Sequence, residues 1–291
     1  MTAHSQPAIV VGIDGSSPSM AALRWAAQAA EARRALLRLV YAVGAPVDYG
    51  PGISVIFDNQ AMRVDGEALL RTAEKNAREA VTRPDELDVE TVVADPPPIP
   101  VLIDRSKGAL MMVVGTHGYG AVGRALLGSV SSALVRHAHC PVAVILEADG
   151  ADVAERVGRP VVVGVDGSAE GAPAIDVAFD EASRRGVGLV AVTVWSEFFR
   201  YVSRDEMAEQ ARAIQSESLA GCTERYPDVD VVRVVVEDRP ARRLLQEADK
   251  AQLVVVGSRG RGGFAGMTLG AVSRAVVHRS EVPVIVARPR D

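Results

Sequence analysis

Two stretches of this chain have glycines spaced so that the backbone could hold an anion. Gly115-Thr116-His117-Gly118 is followed by nine residues and then Gly128-Ser129; Gly257-Ser258-Arg259-Gly260 is followed by nine residues and then Gly270-Ala271. Glycine lets a chain turn where a Cβ would clash and lets a phosphate come close to main-chain amides. A helix opening at Gly128 would point its free N–H groups and positive dipole end at that phosphate, and Ser129 could add a hydroxyl donor. Asp14, in IVVGIDGS, and Asp166, in VVVGVDGS, form a second pair of candidates. A carboxylate there could accept from a ligand hydroxyl, or it could serve only the start of the next helix.

Three readings of the glycine turn compete. A tight strand-to-helix connection would need glycine for geometry alone. A dinucleotide fingerprint is formally present at residues 118–123, GYGAVG. It follows the fourth strand rather than the first, and the residues about 20 further on, His137 to Cys140, supply no acid for a ribose. A mononucleotide site is the third reading. No Walker lysine follows the glycines, so phosphate would be held largely by amides, an arrangement suited to binding rather than phosphoryl transfer.

The elements that must position these residues are written twice. Ile9–Ser16 matches Val161–Ser168, the turn at Gly115 matches that at Gly257, and CPVAVI from Cys140 matches VPVIV from Val282, at offsets of 152, 142 and 142 residues (161 − 9, 257 − 115, 282 − 140). Three matches in order indicate tandem duplication. The domains are read as residues 1–148 and 158–291, with Glu147–Arg159 as the linker. In the first copy the patterns predict strands at Ile9–Ile13, Leu36–Val43, Val89–Ala94, Leu110–Val114 and Val142–Leu146. Helices are predicted from an N-cap at Ser17 through Arg34, and over Gln60–Val81, Pro100–Lys107 and Val122–His137. Strands apolar throughout belong to parallel sheets covered on both faces. The fold class is therefore α/β: two tandem doubly wound, Rossmann-like parallel-sheet sandwiches of five strands each, whose ligands bind beyond the carboxyl ends of the strands.

Bulk properties set limits. The 291 residues suffice for two cores, and 48% hydrophobic with 24% charged residues is a globular composition. A net charge of −5 argues against a general nucleic-acid binder. The N-terminus lacks the apolar core of a signal peptide, and no apolar run approaches the ~20 residues of a membrane span, so a cytoplasmic protein is expected. Cys140 and Cys222 read as packing residues. His137 and His139 beside Cys140 have no liganding counterparts in the second copy, which places Arg279, Glu281 and Val282 there. His117 reads as a surface histidine, its counterpart being Arg259. Trp25, matched by Val177, reads as helix-face core. Gly44–Asn59 is long for a strand-to-helix connection and is either a lid or a surface loop.

With these motifs in place, the chain resembles the universal stress protein family over nearly its whole length. The resemblance rests on G-x2-G-x9-G-[S/T] after an apolar strand, VG-[IV]-DGS at each domain's opening and CPV near its end. It implies a sandwich of the adenine nucleotide alpha hydrolase type that binds ATP with Mg2+, although no residue identifies itself as a metal ligand. It further implies a regulator in stress adaptation, growth arrest or dormancy with at most weak ATPase activity, and a homodimer joined through last strands. Carried over by position, Gly12, Asp14 and Ala42 would hold the adenosine, and Val114, Gly115, Gly118, Gly128, Ser129 and Val130 the ribose and phosphates. The second site would use Gly164, Asp166, Val194, Val256, Gly257, Gly260, Gly270, Ala271 and Val272. An enzyme would need a base or nucleophile common to both turns, and none is present; a pure scaffold would bind no nucleotide.

One position departs from the family pattern: Ala271 stands where a hydroxyl residue is expected. Losing one phosphate hydrogen bond costs about 0.5–1.5 kcal/mol. The C-terminal site is therefore expected to bind ATP several-fold more weakly than the N-terminal one, unless Arg259 and Arg261 compensate. Titration of variants with a single working site checks this, and equal affinities would count against it.

Overall fold

A computed structural model describes residues 7–43, 59–95, 97–116, 127–147, 154–195, 203–261 and 268–289. His117, Gly118 and nearly all of the 44–59 segment lie outside them. The chain forms two compact units, the first through Glu147 and the second from Ala148 to Pro289.

The first unit runs β1 (Ala8–Gly12), α1 (Ser17–Arg33), β2 (Leu36–Ala42), α2 (Asn59–Glu79), β3 (Val89–Ala94), α3 (Pro98–Arg105), β4 (Met111–Gly115), α4 (Ser129–His137) and β5 (Val142–Ile145). The second repeats the order as β6 (Val161–Gly164), α5 (Ala172–Arg185), β7 (Leu189–Trp195), α6 (Arg204–Arg225), β8 (Val231–Glu237), α7 (Pro240–Ala248), β9 (Leu253–Gly257), α8 (Ala271–Arg279) and β10 (Val284–Ala287). Within the units the strand orders are β3-β2-β1-β4-β5 and β8-β7-β6-β9-β10. All pairings inside each unit are parallel, with Ile9 opposite Leu37 and Met111, and Val161 opposite Leu189 and Leu253. α1 and α2 pack on one face and α3 and α4 on the other, the doubly wound arrangement expected. Every residue of β4 and β5 is buried, as an apolar strand covered on both faces must be.

Two helix starts correct the sequence reading. The N-cap of α1 is Ser16, not Ser17; its backbone is extended at φ −70°, ψ 155°, and its Oγ accepts from the Ser19 amide at 3.3 Å. α4 begins at Ser129 with Gly128 as N-cap, seven residues after the expected Val122 (129 − 122). Trp25 and Val177 are both half-buried. No helix among the described residues is long and apolar enough to cross a membrane.

The two copies fill the same volume differently between the second strand and second helix. In β2, Tyr41 lies over buried Gly66 of α2, so closely that a methyl side chain at position 66 would sit 2.4 Å from Tyr41 Cδ1. In β7 the register-equivalent residue is Thr193, whose Oγ1 accepts from Gln215 Nε2 of α6 at 3.0 Å and donates to Val165 O at 2.9 Å. A large strand residue faces glycine in one copy, and a small one faces glutamine in the other.

A sign inversion follows from this pairing. Overpacking costs typically 1–3 kcal/mol, against the ~0.5–1 kcal/mol that alanine gains over glycine inside a helix. Gly66→Ala should therefore destabilise the protein by about 1–2 kcal/mol, but stabilise it by about 0.5–1 kcal/mol in a Tyr41→Val background. Denaturant midpoints of the four proteins in this cycle check it.

Candidate functional site

The parallel register carries the expected residues to one edge of each sheet. Gly12, at the end of β1, lies opposite Val40, two residues before Ala42, and the Ile13 amide continues the ladder to Val40 O at 2.9 Å. Val114 and Gly115 end β4 beside Val144 and Ile145. The second unit repeats this, with Gly164 opposite Val192 and with Val256 and Gly257 beside Val286 and Ala287. The edge is tightly fitted from beneath. A methyl group on Gly12 would lie 3.2 Å from Leu102 Cδ1 of α3, and one on Gly164 would lie 3.3 Å from Leu244 Cδ1 of α7. Sequence reasoning passed over Leu102 and Leu244, which occupy matching positions on the third helix of each copy.

The glycine turn is built by backbone constraints. Thr116 N–H donates to Ile145 O at 3.1 Å, and Ser258 N–H to Ala287 O at 2.9 Å, so each turn starts under the control of the fifth strand. Each segment is then closed where its helix begins: Gly128 N–H donates to Thr116 O at 2.7 Å, and Gly270 N–H to Ser258 O at 2.8 Å. Gly115 is required for close approach, because a methyl group there would come within 2.7 Å of the Pro18 carbonyl carbon and oxygen in the first turn of α1. Gly257 meets the matching segment, with the Glu170 oxygen and the Gly171 Cα each 3.2 Å from such a methyl. Two serines complete the frame. Ser131 Oγ donates to Gly115 O at 2.6 Å, and Ser273 Oγ to Gly257 O at 2.5 Å, each buried. Their signal was available, since serine stands three residues after the N-cap glycine in both copies.

Gly128 and Gly270 are extended N-caps, at φ −63°, ψ 162° and φ −67°, ψ 155°, and neither helix has a side-chain cap. Serines 16 and 203, by contrast, cap α1 and α6 with their hydroxyls. Among the described residues, the first-turn amides of α4 and α8, from Ser129 and Val130 and from Ala271 and Val272, thus receive no N-cap side-chain acceptor. Ser129 and Ala271 are exposed at this end, and Val130 and Val272 are half-buried.

Asp14 and Asp166 perform a local task in both copies. Asp14 Oδ1 accepts from Ser16 N at 2.9 Å and from Ser16 Oγ at 2.6 Å; Asp166 Oδ1 accepts from Ser168 N at 3.0 Å and from Ser168 Oγ at 2.7 Å. Neither aspartate is itself the N-cap. The Ser16 hydroxyl donates to Asp14, which leaves that oxygen's lone pairs facing Ser19 N. Only in the second unit do the described residues show the other oxygen engaged: Asp166 Oδ2 accepts from Arg261 N at 2.9 Å. The matching position, Tyr119, lies outside the described residues.

Other candidates stay apart from this edge. Cys140 and Cys222 are buried and form no disulfide. Burial, then the Asp176 carboxylate at 3.2 Å, pushes the Cys222 thiol up to about 11. It is therefore protonated at neutral pH and a poor nucleophile. No group of three or more His, Cys, Asp or Glu able to hold a metal exists among the described residues. A cavity of about 450 Å3 lies in the second unit, lined among others by Arg239, Arg242, Leu245, Asp249, Arg279 and Glu281, and none of the expected site residues lines it.

Fold and edge geometry together define a tandem α/β sandwich with a glycine turn at the carboxyl edge of each sheet. The sequence signature of the universal stress protein family matches residues 7–145 and 158–288. A universal stress protein of Mycobacterium tuberculosis is 49% identical over 290 residues, covering 98% of each chain, and another from that species is 44% identical, covering 98% of this chain and 97% of its own. The crystal structure of a universal stress protein from Archaeoglobus fulgidus covers 98% of this chain and 97% of its own with a TM-score of 0.69 at 21% identity, a likeness of fold. The chain belongs to the universal stress protein family.

The contacts separate structural from peripheral glycines. Gly115→Ala should lower stability by about 1–3 kcal/mol, because backbone atoms of Pro18 cannot swing aside. Gly270→Ala has the open backbone of its cap and only ordinary contacts from 3.6 Å, and should cost less than about 1 kcal/mol. Thermal unfolding of both variants checks the contrast.

Proposed function

We propose that each unit binds ATP, with Mg2+, at the carboxyl edge of its sheet, and that the protein is a cytoplasmic nucleotide-dependent regulator of stress adaptation or growth arrest rather than an efficient enzyme. The carrying observation is the twice-built turn, in which an N-cap glycine, with no side chain to cap, opens a helix beside a strand end that is closed to a Cβ at Gly115 and tightly fitted at Gly257. An anion at such a terminus gains typically 0.3–1 kcal/mol from the dipole, and more when it is partly buried and accepts several amides.

The proposed roles use the residues at this edge. The amides after Gly128 and Gly270 face the phosphates, Gly12 and Ala42, or Gly164 and Val194, line the nucleoside end, and Asp14 or Asp166 lies between them. Mg2+ would neutralise phosphate charge in place of a Walker lysine. The regulatory role is supported by what the turns lack: a carboxylate, lysine or histidine shared by both copies that could serve as general base. Association of two chains through last strands belongs to the same proposal.

Mass analysis of small molecules released from the denatured, purified full-length protein tests this reading. ATP is the expected product, with hydrolysis slow or undetectable. Protein that emerges empty and binds nothing at millimolar ATP would reduce the chain to a scaffold. Turnover of many per second, lost on Gly118→Ala, would make it an enzyme.

A further inference from the structure

The two units finish their third strands differently. β8 stands at the outer end of the second unit's strand order and, among the described residues, pairs with β7 alone. The pairing runs from Val231 to Glu237 without a bulge or a proline. Asp230 O accepts from Leu189 N at 2.8 Å and Asp238 N donates to Trp195 O at 3.1 Å, so the even-numbered residues direct their main-chain groups at β7. Alternation along the strand then turns the N–H and C=O groups of Val231, Arg233, Val235 and Glu237 toward the open edge. Side chains alternate between the two faces. Arg233 and Glu237 lie on the face covered by α6, where Arg233 Nη1 donates to Ser216 Oγ at 3.3 Å and Glu237 Oε1 accepts from Arg204 Nη2 at 3.4 Å. Val232, Val234 and Val236 lie on the other face; Val232 is 59% exposed and the other two are half-buried.

The first unit guards the matching position. Glu90 of β3 corresponds to Val232 and pairs with Arg38, its register partner on β2, at 2.8 Å. In the second unit the same two positions hold Val190 and Val232. Charged side chains commonly protect an exposed edge, and an apolar edge without them is a template for a further strand.

The charges that β8 does carry select one partner. An antiparallel strand can join this edge only by setting its own outward-facing residues opposite the odd-numbered ones. If that strand is a second β8, a two-fold axis at Val235 places Arg233 opposite Glu237 of the second copy, and the reverse, with Val234 opposite Val236. About six main-chain hydrogen bonds would form across the three outward-facing pairs. An axis at Arg233 would set that arginine against itself, and one at Val236 would set it against Arg239. An axis at Val234 would leave both charges opposite valines.

We propose that β8 is an interaction surface for a second copy of this chain, joined antiparallel about Val235 so that the sheet continues from one copy into the other. The contact is isologous and closes on itself, so it makes a pair of chains rather than a fibre. It is distinct from association through last strands, because β8 and β10 lie at opposite ends of the second unit's strand order. It is also independent of nucleotide binding.

Sedimentation velocity of the full-length protein tests the proposal. Arg233→Glu and Glu237→Arg each set like charges across both cross-strand pairs. Either change should halve the particle mass and raise the dissociation constant of the pairing about tenfold or more. An equimolar mixture of the two variants should recover the wild-type mass, because one cross-strand pair is then native and the other reversed. The double exchange Arg233→Glu with Glu237→Arg should associate as the wild type does. Equal mass for the wild type and both single variants overturns the proposal, whether that mass belongs to a single chain or to a pair joined elsewhere. So does a mixture or a double exchange that stays as dissociated as the single variants.

Discussion

The close approach of the fourth strand to the first helix governs everything built at the sheet edge. At Gly115 the chain has no room for a Cβ against the Pro18 backbone, and its carbonyl is taken by the buried Ser131 hydroxyl. These contacts tie three elements together: β4 to α1 by contact, and β4 to α4 by a hydrogen bond. The second copy repeats them at Gly257 and Ser273, with Glu170 and Gly171 in place of Pro18. The positions of the helix start, the closed turn and the aspartate loop all follow from this junction. A buried carbonyl left unpaired there would cost about 1–3 kcal/mol, so the serine is as much a requirement as the glycine.

Around that fixed junction the copies have drifted apart in ways that preserve volume and hydrogen bonding. Tyr41 against Gly66 and Thr193 against Gln215 are two solutions of one packing problem, one steric and one polar. Gln215 is almost wholly buried, yet its amide reaches Ala191 O at 3.0 Å, Thr193 Oγ1 at 3.0 Å and Val234 O at 3.3 Å, so the polar solution leaves its donor satisfied. At the sheet edge the copies differ in residue type instead: Ser129 is matched by Ala271, and Tyr119 by Arg261.

Strand positions, the doubly wound class and the duplicated organisation were legible in the sequence because apolar β-branched runs and repeated motifs report directly on a two-faced parallel sheet. Val89–Ala94 was read to the residue. Helix starts were less legible. Ser16, Ser17 and Ser19 are all plausible caps by type, and only the extended backbone at Ser16 and the carboxylate of Asp14 select among them. The expected start at Val122 followed helix-forming residues and passed over Gly128, whose amide closes the turn. In the site, glycines and aspartates were visible by spacing. Ser131, Ser273, Leu102 and Leu244 were not, because a buried serine or leucine on a helix carries no special type signal until its partner is known. Arg261 was noted as a possible compensating cation; that it reaches back to Gly167 depends on a long-range contact no local pattern encodes.

The 2.7 Å bond from Gly128 to Thr116, and its 2.8 Å twin from Gly270 to Ser258, fasten both ends of each intervening segment to the scaffold. Between such clasps the copies diverge in composition but not in length: HGYGAVGRALL and RGRGGFAGMTL share Gly118 with Gly260, Gly120 with Gly262 and Leu127 with Leu269, and differ elsewhere. Ring size fixes the entropy of closing a loop, and composition matters less. The constraint therefore falls on the span between the clasps, and composition can change inside it while the scaffold keeps hold of both ends.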